Sequence, residues 1–216
     1  EDFIYGDGGG GGGGGEEAQG SGCVVSVSSF TKILSPALRL GWIEAAPPLI
    51  EKLGAIGYIA SGGCVAAFTA DVVAHLLEER GQDEHLALAV GSYRARAAAL
   101  VEGLAAPQEE MEGADGWDGT LPPLHAPEGG FFLWVPLPLG LTAAELLPYA
   151  ERACGVRFLP GGRCSAPGGG GGAGGAPNPD SCIRCCFALL EPPELREAGF
   201  RLRRAVRLAL AARREA

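Results

Sequence analysis

Lysine is almost absent from this sequence: Lys32 and Lys52 are the only two, against fifteen arginines. It also lacks any apolar run near the roughly 20 residues that a membrane-spanning helix needs. Nor does it open with the basic and then apolar stretch of a secretory signal. The net charge is −9, which argues against a nucleic-acid partner because such a partner requires a basic face. We therefore expect a cytoplasmic protein that binds neither membrane nor nucleic acid.

The length of 216 residues suits one large domain or two small ones, and 47% hydrophobic residues allow a substantial core. The first residue is not Met, and residues 1–5 already have the pattern of a strand end. We therefore expect a fragment whose N-terminal part is missing. Organellar targeting stays open for the same reason.

Cysteine is present in an odd number, which favours reduced thiols over a disulfide framework. The seven are Cys23, Cys64, Cys154, Cys164, Cys182, Cys185 and Cys186. Only Cys182 and Cys185 have the two-residue gap of a metal or redox pair, and they lie in the apolar stretch 181–190. That stretch predicts a buried strand, on which residues three apart point to opposite faces. We therefore predict no metal site.

Two glycine tracts, at residues 8–15 and 168–175, predict loops and lack the strand–helix context of a phosphate-binding turn. Between them strands and helices alternate. Strands are predicted at 23–30, 38–45, 130–137, 156–159 and 181–190. Helices are predicted from Pro47 and at 68–80, 83–104, 142–153 and 194–214. Gly81 should cap the second helix, and the basic side of the last should be solvated. The pattern is α/β early and α+β later, with a boundary near residue 83.

The two lysines differ in their surroundings. Only the lysine amine can form an imine with an aldehyde, so a lysine in an arginine-rich chain is a candidate for such chemistry. Lys52 lies beside Glu51 in a predicted surface helix. Lys32 directly follows a strand predicted to be buried, at a strand-to-loop junction where α/β proteins often place ligand chemistry.

The segment around Lys32 carries a specific motif: Ser29-Phe-Thr-Lys32-Ile-Leu-Ser-Pro-Ala-Leu-Arg39-Leu-Gly-Trp42. It resembles the lysine signature of the class I and II aminotransferases, enzymes of amino-acid metabolism that use pyridoxal phosphate (PLP) on the fold-type I scaffold. Thr31 and Ala37 are mild departures. The resemblance implies the C-terminal part of the PLP-binding large domain (1–83), followed by an α+β small domain (84–216).

The resemblance also gives each residue an expected role. Lys32 would hold PLP as a Schiff base and carry the proton between the substrate Cα and the cofactor. Ser29 and Arg39 would bind the phosphate, a dianion that suits a hydroxyl and a guanidinium. Asp2 and Tyr5, in the Asp-x-x-Tyr strand end at residues 2–5, would contact the pyridine nitrogen and the O3′ oxygen. A carboxylate there keeps the nitrogen protonated.

Three later segments extend the likeness into the small domain. Residues 127–134 resemble the family's Pro-x-Gly-Gly-x-Phe-x-Trp strand, and residues 155–161 resemble its Gly-Val-x-Phe-x-Pro-Gly segment. Residues 181–190 match the strand whose arginine, here Arg184, binds the substrate α-carboxylate. The apolar neighbours of Arg184 support this role, since an unpaired buried charge is unfavourable. Stretches near 61–69 and 81–85 resemble the aminoadipate and multi-substrate subgroup.

These features predict an aminotransferase that moves an amino group between an α-amino acid and a 2-oxo acid. The likeness begins partway through the large domain, so we expect activity only in a full-length homodimer. Two alternatives stay open. One is another fold-type I PLP enzyme, such as a decarboxylase or lyase. The other is a non-catalytic module, either a fragment or the effector domain of a transcription regulator.

Overall fold

The computed structural model describes residues 24–62, 66–105, 120–124, 126–165 and 178–215. These ranges contain five strands and seven helices. The strands are β1 (Val25–Ser29), β2 (Gly41–Ala45), β3 (Phe132–Pro136), β4 (Leu159–Pro160) and β5 (Cys182–Cys186). The helices are α1 (Phe30–Ile33), α2 (Pro47–Gly54), α3 (Gly57–Ala60), α4 (Ala67–Glu78), α5 (Gly81–Ala105), α6 (Ala143–Ala153) and α7 (Pro192–Glu215). Both glycine tracts lie outside the described residues.

The chain divides into two compact units, one ending at Val90 and the other beginning at Gly91. This division falls inside α5. The predicted domain boundary near residue 83 stays a prediction.

The first unit contains an antiparallel ribbon of β1 and β2, in a register that runs from Val25 opposite Ala45 to Ser29 opposite Gly41. Gly41 is required at the end of the ribbon, because a Cβ there would lie 2.4 Å from the carbonyl oxygen of Ser28. The connection between the strands holds α1 and a 3₁₀ turn at Pro36–Leu38. As predicted, prolines open α2 at its first turn.

Two predictions for this unit are wrong. The strand before Lys32 is not buried: Val27 is 74% exposed, because a two-stranded ribbon leaves most of both faces to solvent. Gly81 does not cap α4 but begins α5. Arg80 takes the left-handed conformation between the helices instead, with φ 58°. Its guanidinium and carbonyl both bind Asp83, at 2.8 and 3.0 Å, which compensates for that backbone strain.

The second unit contains a three-stranded antiparallel sheet in the order β3-β5-β4. One face of the sheet carries the core, where Leu133, Val135, Ile183 and Cys185 are buried. Buried residues of α5, α6 and α7 complete it. Burial raises the pKa of the Cys185 thiol to about 12. The strand predicted at residues 181–190 is confirmed for Cys182–Cys186 and ends there.

Helices α5 and α7 cross at two glycines. A Cβ on Gly103 would lie 2.2 Å from the carbonyl oxygen of Arg196, and a Cβ on Gly199 would lie 2.6 Å from the carbonyl carbon of Gly103. The backbones therefore approach more closely than any side chain would allow. Beside the crossing, Arg196 donates to Glu102 at 2.7 Å, and this bond lowers the pKa of the Glu102 carboxyl.

The basic side of α7 is not wholly solvated, contrary to the prediction. Arg203 is only 2% exposed, and burial lowers the pKa of its guanidinium. Arg203 follows Leu202 and precedes Ala205 and Val206, all of which are buried. A helix packed against both α5 and α6 buries too wide a stripe to keep every arginine in water.

Candidate active site

Ser29 and Lys32 are positioned by the one-turn helix α1, which starts where β1 ends. Ser29 is the N-cap residue: its backbone is extended, and its hydroxyl accepts from the Thr31 amide at 3.1 Å. This cap starts a helical turn immediately after the strand, which places Lys32 in the turn. The Lys32 side chain is exposed.

Arg39 lies at the other end of the same connection, where the chain turns into β2. Its backbone is left-handed, with φ 52° and ψ 36°. A residue other than glycine loses roughly 1–2 kcal/mol in this conformation. The exposed guanidinium has a single long bond within the described residues, from Nη1 to the Pro36 carbonyl at 3.4 Å. Most of its donors are therefore available to a ligand.

A backbone hydrogen bond and a ring contact join the two ends of the connection. The Phe30 amide donates to the Leu40 carbonyl at 3.0 Å, and the rings of Phe30 and Trp42 lie 4.8 Å apart between centroids. A hydroxyl, an amine and a guanidinium are thus presented by one ordered connection of eleven residues (29–39). The structure places three of the predicted site residues there, while Asp2 and Tyr5 lie outside the described residues.

The Ser29 hydroxyl already has partners in this structure. Its single hydrogen can go to Thr31 Oγ1 at 2.8 Å or to the Leu40 carbonyl at 3.3 Å. An anion bound here would compete for that hydrogen, and Thr31 offers a second hydroxyl beside it. Thr31, one of the two positions where this sequence departs from the family signature, therefore contributes to the same hydrogen-bonding group.

Arg184 belongs to the other compact unit and lies in β5, the central strand of the sheet. Trp134 of β3 and Leu159 of β4 are its cross-strand neighbours. The residue is half-buried, so the predicted burial is only partly correct. In the part of the chain that the structure describes, its guanidinium makes no hydrogen bond or ion pair. Its Cζ lies over the Phe132 ring, 4.1 Å from the ring centroid.

Phe132 was not singled out from the sequence as a neighbour of Arg184. Its signal was present, because Phe132 and Trp134 alternate on one face of a predicted strand. What the sequence did not contain was the register of β3 against β5, which brings the ring to Arg184.

The donor set on the connection suits an aldehyde that carries a phosphate. An amine can attach an aldehyde, while a hydroxyl and an under-used guanidinium match a phosphate dianion. Among the residues placed by the structure, no group of His, Cys, Asp and Glu could hold a metal ion. The described helices also include none long and apolar enough to cross a membrane.

Comparison with known proteins agrees with this chemistry. The sequence profile described as "Aminotransferase class I and II" matches residues 1–202. The chain is 30% identical over 190 residues to the 2-aminoadipate transaminase of Thermus thermophilus, covering 87% of this chain and 42% of that protein. It is 32% identical over 140 residues to aromatic-amino-acid aminotransferase 1 of Thermococcus litoralis, covering 65% and 31%.

A solved structure shows the same fold. The α-aminoadipate aminotransferase of Thermus thermophilus, complexed with N-(5′-phosphopyridoxyl)-L-leucine, superposes with a TM-score of 0.64 at 27% identity. The match covers 88% of this chain and 43% of that one. A shorter match, 35% identical over 65 residues, is to the HTH-type transcriptional regulator NorG of Staphylococcus aureus; it covers 30% of this chain and 14% of that protein.

The structural match identifies the fold as part of the fold-type I scaffold, with mixed helix and sheet. The chain belongs to the aminotransferase class I and II family. It spans less than half the length of the curated relatives that it matches first.

Proposed function

We propose that this chain is part of a PLP-dependent aminotransferase, which moves an amino group between an α-amino acid and a 2-oxo acid. The observation that carries the proposal is the set of Ser29, Lys32 and Arg39 on the connection between β1 and β2. An enzyme of this kind needs an amine, a hydroxyl and a guanidinium of this type, and the family match spans the whole set.

The residues have three proposed roles: attachment of the cofactor, binding of its charged groups, and proton transfer. Bound PLP would supply an electron sink for the carbanion at the substrate Cα. Lys32 would hold PLP through its amine and would carry the proton of the substrate Cα. Ser29 and Arg39 would hold the phosphate. Asp2 would keep the ring nitrogen protonated, and Tyr5 would donate to the ring oxygen.

Arg184 binds the α-carboxylate of the substrate, since a planar guanidinium pairs with a carboxylate through two parallel hydrogen bonds. The half-buried position and the absence of a polar partner among the described residues support this role. The names of the relatives suggest a 2-aminoadipate or aromatic amino acid as substrate. The side-chain preference within that range stays open.

The match covers only 31% and 42% of the two relatives. We therefore assign the activity to the full-length protein, meaning a chain of the relatives' length that contains these residues. We propose that it works as a homodimer in the cytoplasm. Size measurement in solution and cell fractionation test these two points.

Attachment at Lys32 can be tested directly in the full-length protein. PLP is added, the attachment is made permanent with borohydride, and peptide mapping locates the modified residue. We expect the mass gain at Lys32 and its complete loss in Lys32→Ala. The control is Lys52→Ala, since Lys52 is the other lysine and is exposed on α2. No attachment, or attachment at Lys52, contradicts the proposal.

A second candidate is the effector domain of a transcription regulator, which the NorG match favours. Mixing the PLP-loaded protein with 2-aminoadipate or phenylalanine separates the possibilities. Release of the matching 2-oxo acid supports the aminotransferase. Release of CO₂ indicates a decarboxylase. PLP that is bound but unchanged, together with a basic DNA-binding domain upstream, indicates the regulator.

A further inference from the structure

We infer that Phe132 is a positioning residue for Arg184, and that Tyr93 and Phe131 hold Phe132 in place. The inference rests on the proposed function, because it assigns Arg184 the substrate carboxylate. We call Tyr93, Phe131 and Phe132 the aromatic row. All three belong to the same compact unit as Arg184.

The aromatic row is continuous from α5 to the sheet. The rings of Tyr93 and Phe131 meet edge to face, with centroids 5.1 Å apart and planes at 89°. The rings of Phe131 and Phe132 follow at 6.4 Å and 78°. Both arrangements are of the kind that aromatic pairs prefer, since a ring edge is positive and a ring face negative. The orientation of Phe132 is thereby linked to the helix.

The contact between Phe132 and Arg184 is of a type that leaves the arginine able to bind. The ring supports the guanidinium, with Cζ 4.1 Å from the ring centroid. A cation over an aromatic face is attracted by the ring quadrupole. A guanidinium binds a carboxylate through the N–H groups in its plane, not through its faces. The contact with the ring therefore restricts the side chain, while no polar group among the described residues occupies its donors.

The Arg184 guanidinium makes no hydrogen bond or ion pair within the described ranges. No polar contact there therefore positions it in place of Phe132. Phe132 itself is 39% exposed, so it contributes less to the core than the buried Leu133 next to it. A large aromatic residue kept partly in water beside an arginine without a polar partner fits a positioning role better than a packing role.

Phe132→Leu tests the inference, because leucine keeps an apolar side chain but lacks the ring. Phe132→Tyr keeps the ring and should keep the binding of the carboxylate probe. Leu190→Ala is the matched control, since Leu190 is also 39% exposed and lies in the same unit. Arg184→Lys should abolish binding. The full-length protein is labelled with ¹⁵N-arginine, and the Arg184 Nε resonance is followed while 2-oxoglutarate is added as a simple carboxylate probe.

In the wild type we expect a ring-current shift of the Arg184 side chain and saturable binding of 2-oxoglutarate. Phe132→Leu should lose the shift and bind about fivefold more weakly, the size of a partly exposed cation–π contact. In turnover, KM for the amino acid should rise while kcat changes little. Phe132→Tyr and Leu190→Ala should behave as wild type.

The inference is overturned if Phe132→Leu keeps the ring-current shift or binds the probe as wild type does. It is also overturned if the wild type does not bind the probe at Arg184. Failure of the inference can be distinguished from failure of the proposed function. A protein that binds 2-oxoglutarate at Arg184 with help from Phe132, but never attaches PLP at Lys32, keeps the inference and removes the proposed function.

Discussion

The crossing of α5 and α7 allows a prediction whose sign and size both follow from the structure. In Gly103→Ala, the new methyl would lie 2.2 Å from the Arg196 carbonyl oxygen and 2.9 Å from its carbon. Both atoms are backbone, so no side-chain rotation can relieve the clash. The helices must separate, and the packing around the crossing loosens.

The net effect is the difference between two opposing terms. Overpacking a tight interior contact typically destabilises by about 1–3 kcal/mol, and a backbone neighbour places this case at the upper end. Alanine is preferred over glycine inside a helix by roughly 1 kcal/mol, which offsets part of the loss. We expect Gly103→Ala to lower the free energy of unfolding by about 2 kcal/mol, or the melting temperature by about 4–8 °C.

Urea unfolding followed by circular dichroism measures this change, as a lower midpoint with an unchanged slope. Gly91→Ala is the control on the same helix. Nothing lies within 4 Å of a Cβ at Gly91, so only the helix preference acts, and stability should rise by up to about 1 kcal/mol. Equal stability of Gly103→Ala and wild type would refute the reasoning about the crossing.

Two further predictions concern the same unit. Thr142 forms a capping box with Glu145 at the start of α6, so Thr142→Ala should lower the unfolding free energy by about 1 kcal/mol in the same urea assay, and an unchanged midpoint would contradict it. Burial raises the pKa of Cys185 from 9.0 to about 12. Above about pH 9 the unfolded chain releases this proton and the folded one keeps it, so stability should fall as pH rises toward 12. Comparing urea midpoints at about pH 8 and pH 10 should show a smaller loss in Cys185→Ala than in wild type; equal losses would contradict the assignment.

The long elements of the second unit were predictable because their apolar spacing is strong. The helix predicted at 142–153 is observed as Ala143–Ala153, with Thr142 as its cap. The strand predicted at 156–159 is reduced to Leu159–Pro160. The Val156 amide donates to the Ala150 carbonyl at 2.9 Å, so the start of the segment finishes α6 instead of pairing in the sheet. Such backbone competition leaves no pattern in side chains.

The candidate site also has a part that the sequence predicts and a part that it does not. The signature led to Ser29, Lys32 and Arg39 because it ties residue types to fixed spacing. The helical turn that carries Lys32, the exposed ribbon before it and the ring beneath Arg184 could not be predicted. The turn depends on the local cap formed by Ser29. The other two depend on which segments pair in space: a sheet of only two strands, and the register of β3 on β5.

At residue 39 the left-handed backbone favours glycine for stability, whereas the proposed phosphate binding needs arginine. Glycine would adopt that conformation without strain, and asparagine with little. A library screened only for heat resistance should therefore enrich glycine at residue 39 and discard the guanidinium. An engineer who wants a more stable scaffold and also the proposed phosphate-binding arginine should hold this position fixed and search for stabilising changes elsewhere.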